Sequence, residues 1–285
     1  FANSAFTTVI TTAVYLIYFK NVVMENSPNA PAYWGFTLML AQLAVIIVSP
    51  LVGAMADLKG NKKGFLMATA ITCSIATASL YLAGPGQVAL AISLVTIATF
   101  AFAMSENLCA GFLPEISTPE TAGRISGYGW SFGYIGGLIC LVLAIFIIEG
   151  GPKETQLERI PWTFVMTGAF FLLASLPTFL LVKERAKPRA LPAGESLLKA
   201  AFGALIKSLG ELPKYRTLAW FLISLTFSTA GLTAVVAFAA GYADDVLKMS
   251  SGEFIKLLIL LQLSGIVGAY GFGFLQDKTS SKVAL

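Results

Sequence analysis

Glu106 is the residue of this chain best placed to do chemistry. It is the only carboxylate well inside a long apolar stretch, toward one end of that stretch. A charge at the bilayer centre costs roughly 2.5–3.5 kcal/mol on insertion scales, so such a residue faces a bundle interior or a wet cavity. There it either binds the amine of a solute or carries a coupling proton; the plainer alternative is a structural hydrogen bond near the membrane interface. Asn107 adjoins it, but successive helical residues point about 100° apart, so the two need not share one site. Hydroxyls are grouped as well. Thr8, Thr11, Thr12 and Tyr15 recur at i, i+3, i+4 and i+7 and form a polar stripe on a helix. Ser228 stands with Ser224, Thr229 and Thr233 in a later apolar stretch. Such groups either line a cavity or bond back to their own helix. Trp130 and Tyr134 lie four apart on one helical face, placed either to stack on a solute or to pack against core or lipid.

The elements that must position these residues are eight long apolar stretches, at about 3–23, 33–56, 64–83, 88–111, 125–148, 162–182, 217–243 and 254–276. Each has about the 20 residues that a helix needs to cross a roughly 30 Å hydrocarbon layer. Helices are required because lipid offers backbone groups no partner, and the stretches lack the alternation of barrel strands. With 56% hydrophobic and 12% charged residues, the expected fold is an all-α integral membrane protein whose first partner is the lipid bilayer. No basic stripe interleaved with aromatics occurs, which argues against nucleic acid as a partner. Cys73, Cys109 and Cys140 all fall in apolar stretches and read as small hydrophobes. With no histidine and no zinc spacing, neither a metal site nor a cofactor is expected. The chain opens at Phe1 directly in a membrane-length segment and closes after a charged loop, which reads as a fragment of a longer protein.

Charge sets the orientation. The loops after the second, fourth and sixth stretches and the final tail hold 14 of the 19 basic residues. An excess of Lys and Arg marks the cytoplasmic face, so the N-terminus is expected there too. The one long polar connection, 183–216, divides the chain into a six-helix unit (1–182), a linker, and the start of a second unit (217–285). The second part of the linker has helical spacing of Leu197, Leu198, Ala201, Phe202, Leu205, Ile206 and Leu209. It reads either as an amphipathic helix on the membrane surface or as a packing helix between units.

The loops after the second and eighth stretches resemble each other. Gly53-Ala-Met-Ala-Asp57-Leu-Lys-Gly60-Asn-Lys62-Lys63 and Gly273-Phe-Leu-Gln-Asp277-Lys-Thr-Ser-Ser-Lys282 share Gly, Asp and Lys at matching offsets, 220 residues apart. A carboxylate beside a helix end can pair with basic groups or with helix N-terminal amides. Repeated halves are a signature of many secondary transporters. Glu115 and Arg124 flank the loop after the fourth stretch and are placed to pair across it, as an inner gate. Asp244 and Asp245 read as solvating the outer end of the seventh stretch. The fifth stretch is dense in glycine, and Gly129, Gly133 and Gly137 give two GxxxG spacings that permit close helix contact.

These motifs resemble those of the major facilitator superfamily. Gly53, Asp57, Gly60, Lys62 and Lys63 match its signature between spans two and three, while Leu58 and Asn61 stand where basic residues are usual. Within the superfamily the chain is most similar to the vacuole effluxer family of autophagy-related amino-acid effluxers and its bacterial relatives. Asn3-Ser-Ala-Phe6 resembles that family's opening. Leu113-Pro-Glu115-Ile-x2-Pro119-x3-Gly123-Arg124-Ile-Ser126-Gly127-x-Gly129-x3-Gly133-Tyr134-x-Gly136-Gly137 resembles its most distinctive segment, except that Cys109-Ala110 replaces the usual aromatic-Asn pair. The resemblance implies a major facilitator-type bundle in which eight of an expected twelve helices are present. It also implies that spans one, four and seven line the path, and that the Asp57 loop and its Asp277 copy latch one access state.

The expected function is therefore secondary transport of a small solute by alternating access. Amino acids and efflux are implied by the resemblance alone, with protons as an open coupling partner. The protein is expected to be monomeric and multi-pass, in the plasma membrane if bacterial and the vacuolar membrane if fungal. A non-transporting receptor or scaffold on the same fold, or a permease subunit of an ATP-driven complex, are the alternatives. No nucleotide-binding loop of the Walker type occurs, no Gly-x-Ser-x-Gly elbow is present, and Glu106 has no intramembrane carboxylate partner; an enzyme is not expected.

Overall fold

The structure is a computed structural model describing residues 1–118, 120–184 and 196–279, apart from the side chains of Asp57, Lys153, Ser251 and part of 197–213. The described residues form helices and loops with no strand. Seven helices among them are long and apolar enough to cross a membrane. An eighth span is a bent pair, Ala2–Ala13 and Tyr15–Val23, meeting at 40°. The protein is an all-α multi-pass membrane protein. We label the bent pair α1 and the others α2 (Ala30–Lys59), α3 (Lys62–Ser79), α4 (Val88–Ala110), α5 (Ala122–Glu149), α6 (Gln156–Leu181), α7 (Arg216–Asp245) and α8 (Ser251–Lys278).

Local sequence explains the helix ends. Gly60 adopts φ of +59° at the C-terminus of α2, where its N–H reaches Ala56 O; only glycine takes that conformation without steric cost. Asn61 follows and accepts from Gly64 N–H at 3.0 Å, capping α3. The residue that departs from the loop signature thus has a local task of its own, since an N-cap contributes about 1 kcal/mol. At the other end, Ser250 and Glu253 form a reciprocal capping box on α8.

The first span is wound differently. Thr7 to Thr12 are six consecutive β-branched residues, which crowd the preceding turn of an α-helix. Here the chain takes wider π turns over Phe6–Ala13 and again over Phe19–Val23, with Val14 N–H bonded to Val9 O at 2.9 Å. The side chains of this span build the core. Tyr15, fully buried, stacks or abuts Tyr18, Phe19, Trp34 and Phe164 with ring centroids 5.1–6.3 Å apart. Such aromatic contacts contribute about 0.5–1.5 kcal/mol each beyond the area they bury.

Around α1, helix α3 packs on α4 and α6, α2 packs on α4, and α5 runs antiparallel along α8. Helix α7 packs through Ala237, Ala240 and Ala243, and its Arg216–Gly231 half is largely exposed. The helix at Leu197–Glu211 forms as its spacing suggested, lies against α2, and exposes Phe202 and Ile206 together with Lys199 and Lys207.

Candidate functional site

A cavity of about 410 Å³ opens between α1, α3, α4, α5 and α6. Helix α4 presents Ser105, Glu106 and Cys109 to it, α5 presents Gly129, Trp130 and Gly133, and the start of α1 presents Asn3 and Ser4. Ser175, Thr178 and Phe179 of α6 and Leu66 and Ala70 of α3 complete the walls. Glu106 is the only charged side chain among the described residues lining it. Trp130, 62% exposed, stands on the facing wall. Asn107 turns the other way, and its Nδ2 donates to Ser49 Oγ on α2 at 3.0 Å. Tyr134 also leaves the cavity: it seats against α8, where a Cβ on Gly265 would stand 2.7 Å from its ring. Its contact with Trp130, centroids 6.3 Å apart, runs along the helix.

The expected stripe on the first span does not form. Residues at i+3 and i+4 superpose on an α-helix but drift apart on wider π turns. Thr8 is buried, its hydroxyl bonds back to Ser4 O, and it faces Gly137. Tyr15 belongs to the aromatic core, while Thr11 and Thr12 are half-buried. The cavity receives Asn3 and Ser4 instead, from the turn before the π segment. Ser228 lies on the exposed half of α7, away from this cavity.

Charged contacts join the helices at both ends. At the basic end, Lys62 Nζ lies 3.1 Å from Glu115 Oε1. Glu184 sits at the N-terminus of α3, where its carboxylate accepts from the backbone N–H groups of Lys62 and Lys63, the charge that a helix N-terminus favours. Lys63 Nζ donates to Val182 O at 2.8 Å. The pairing of Glu115 with Arg124 expected across their loop is replaced. Glu115 receives Lys62, and Arg124 turns to Asp277 at the end of α8. One oxygen, Asp277 Oδ2, accepts from Arg124 Nε at 2.8 Å and from the Arg124 backbone N–H at 3.0 Å. Asp277 is only 8% exposed, and it meets both a guanidinium and the N-terminal turn of α5. The side chain of Asp57 and all of Lys282 lie outside the described residues. Gly53 has open space around it.

Beneath this pair is a glycine seam. A Cβ on Gly127 would stand 2.7 Å from Ala269 O and 3.1 Å from Gly273 Cα. One on Gly273 would meet Gly123 O at 2.9 Å, and Gly123 itself abuts Asp277. Ser131, one turn on, donates to Ile266 O at 3.2 Å. Gly123, Gly127 and Gly273 therefore set the distance between α5 and α8. Of the GxxxG positions, Gly129 has nothing within 4 Å and faces the cavity, which corrects its expected packing role. Gly133 abuts Ser4, and Gly137 makes a notch for Thr8 and the buried amide of Gln262. The four-residue spacing of Gly123 and Gly127, and the single glutamine deep in the last stretch, were the signals for what the pattern reading missed.

At the opposite end, Lys20 of α1 lies between Asp244, at 3.2 Å, and Asp245 of α7. These aspartates thus hold a cation from another helix rather than merely solvating a helix end. Nearby, Trp34 Nε1 donates to Ala237 O at 3.1 Å across the α2–α7 contact.

The family model described as "Vacuole effluxer Atg22 like" matches residues 22–284. An uncharacterised MFS-type transporter, YxiO of Bacillus subtilis, is 24% identical over 292 residues, covering 100% of this chain and 67% of that protein. Autophagy-related protein 22-1 of Penicillium rubens is 27% identical over 166 residues, covering 54% of this chain and 27% of its own length. An uncharacterised protein of Aquifex aeolicus is 26% identical over 242 residues, covering 84% and 55%. The aligned chain thus spans from about a quarter to about two thirds of these relatives. No solved structure matches it. With nearly its whole length matched, the chain belongs to the Atg22-like vacuole effluxer family.

Proposed function

We propose that this chain forms the greater part of a secondary transporter that moves a small solute by alternating access. The observation that carries the reading is a cavity with one carboxylate, flanked by charged contacts at both membrane faces. Arg124 and Asp277 join α5 to α8 at the basic end, and Lys20 joins α1 to Asp244 and Asp245 of α7 at the other. A carrier needs that pair of closures, because opening both at once would leave a leak. The Lys and Arg excess supports a cytoplasmic location for the Arg124 end and for the N-terminus. Residues 1–182 form one rocking unit and α7 and α8 begin the other, with Glu106 binding the cargo's amine or a coupling proton. Family likeness points to amino acids as the solute class. Exchange of amino acids and amines into proteoliposomes tests this. Glu106→Gln is expected to lower exchange on the order of 10- to 100-fold, the effect of losing a hydrogen bond to a charged group, roughly 1.5–3 kcal/mol. Exchange that is indifferent to the substitution would remove the site from the path.

The outer closure has a separate signature. Lys20→Met leaves two adjacent carboxylates without their cation. Because those groups keep partial exposure, the expected loss is only about 0.5–1 kcal/mol, read as an earlier thermal transition by size exclusion in detergent. A swap, Lys20→Asp with Asp245→Lys, is expected to recover most of that loss. Failure of the swap would show that the ion pair does not join α1 to α7.

A further inference from the structure

We propose that the outer groove between α5 and α8 binds one anionic phospholipid, with an acyl chain along the groove and the phosphate between Arg124 and Lys278. The site is separate from the Glu106 cavity and does not depend on the transport reading. The groove has a volume of about 400 Å³, with Tyr128, Phe132 and Ile135 of α5 on one wall and Ile266, Val267 and Tyr270 of α8 on the other. Tyr128 to Ile135 spans about 10 Å of helix, so a hydrocarbon chain can lie along it. Ser131, the one small polar residue of the lining, is spent in donating to Ile266 O at 3.2 Å. Helices in a membrane seat on one another through small residues. The exposed side chains of this face are large, Phe132 and Val267 among them, which suits an acyl chain rather than a further helix.

The basic end of the groove supplies the headgroup site. Tyr128 and Tyr270 stack there with centroids 5.6 Å apart, and tyrosine is enriched at the membrane–water interface. One turn further out stand Arg124 on α5 and Phe274 on α8, and the Lys278 ammonium folds back to 4.5 Å from the Phe274 ring. Arg124 meets Asp277 through Nε while its side chain keeps 43% exposure. The terminal nitrogens of its fork are left for a phosphate, which guanidinium geometry matches. Of the acidic groups in these turns, Asp277 is nearly buried between the helices and Glu120 is engaged with the Thr118 side chain. A zwitterionic headgroup brings its own cation to Arg124 and Lys278; an anionic one does not, and basic pockets between membrane helices take anionic headgroups for that reason.

Native mass spectrometry of the purified protein in detergent tests this with three probes. They are dioleoyl phosphatidylglycerol, dioleoyl phosphatidylcholine, and glycerol 3-phosphate, which carries a phosphate without acyl chains. Phosphatidylglycerol is expected to bind on the order of 5- to 25-fold more tightly than phosphatidylcholine, about fivefold for each of the two basic groups. Lys278→Gln is expected to cut that preference about fivefold and to leave the Arg124–Asp277 contact in place. Val267→Trp fills the groove and is expected to remove the first bound phosphatidylglycerol. Both positions are exposed, so neither variant disturbs the packing of α5 on α8. Equal binding of the two lipids overturns the headgroup assignment. Glycerol 3-phosphate binding as tightly as the lipid makes the two cations a free-anion site and overturns the groove's part in it. A dimer that Val267→Trp splits, with phosphatidylglycerol binding unchanged, gives the face to a second copy of the chain and overturns the lipid.

Discussion

Gly127→Leu will separate α5 from α8 and remove the monodisperse species from detergent extracts. The reason is what the new side chain meets. Its first carbon would stand 2.7 Å from Ala269 O and 3.1 Å from Gly273 Cα, both backbone atoms of a helix that can yield only by moving as a whole. Overpacking a core whose side chains can shift costs typically about 1–3 kcal/mol; here the flexible part is missing, so the cost lies at or above that range. Moving α8 away also draws Asp277 from Arg124, so the two losses are coupled. Gly129→Ala is the matched control. It sits two residues away on the same helix with nothing within 4 Å, and its expected effect is nil or a gain of up to about 1 kcal/mol from reduced freedom of the unfolded chain. Comparing melting transitions of the two variants by size exclusion tests the seam directly. A stable, monodisperse Gly127→Leu protein would mean that α5 and α8 do not approach this closely.

Asp277→Ala will open the basic end and speed the labelling of Cys109. Asp277 is nearly buried and accepts two hydrogen bonds from Arg124, each of the charge-assisted kind that contributes roughly 1.5–3 kcal/mol. Without the carboxylate, Arg124 can hydrate because its side chain keeps 43% exposure, whereas the first turn of α5 loses its anion. If the contact exists in only one access state, its loss shifts the balance by about 1–3 kcal/mol, or on the order of 5- to 150-fold. Cys109 reports that shift because it is the exposed one of the three cysteines. A rise of about tenfold or more in maleimide labelling from the side of the basic loops is expected, in proportion to that shift. Unchanged labelling, with the variant still folded, would show that the Arg124–Asp277 pair does not gate the cavity. Asp277→Asn should give a smaller rise, since its amide oxygen can still accept from the α5 backbone.

Much of the fold was written in the chain because membrane physics leaves few choices. Each long apolar stretch had to become a helix, and eight did. The isolated carboxylate was legible for the same reason: Glu106 had to find a cavity, and it lines one. Asn107, one residue on, was correctly separated from it by helical geometry alone. The errors share a cause as well. The Thr8, Thr11, Thr12 and Tyr15 stripe assumed a 3.6-residue turn, and six β-branched residues in a row gave π turns instead. Glu115 and Arg124 were matched because they are near in sequence, yet both found partners more than 50 residues away, Lys62 and Asp277. Gly129 shares the GxxxG pattern with Gly133, but spacing says only that two glycines share a face and not which neighbour that face meets. Long-range pairing between helix ends is set by three-dimensional packing, which a one-dimensional pattern carries weakly.

The seam between α5 and α8 has one more consequence. Gly123, Gly127 and Gly273 have no rotamers to freeze when the helices meet, unlike leucine or isoleucine, which give up about 0.5–1 kcal/mol each in side-chain entropy. None are released when the helices part, so the glycine contact itself is nearly indifferent to the transition. The half-exposed Arg124 at its end is not. Its attraction to Asp277 acts across 2.8 Å, well inside the Debye length of about 8 Å at physiological ionic strength, and a partly buried pair is screened little. Added salt should therefore leave this junction largely intact, so that losing one of the two charges, rather than raising ionic strength, is what lets the helices come apart.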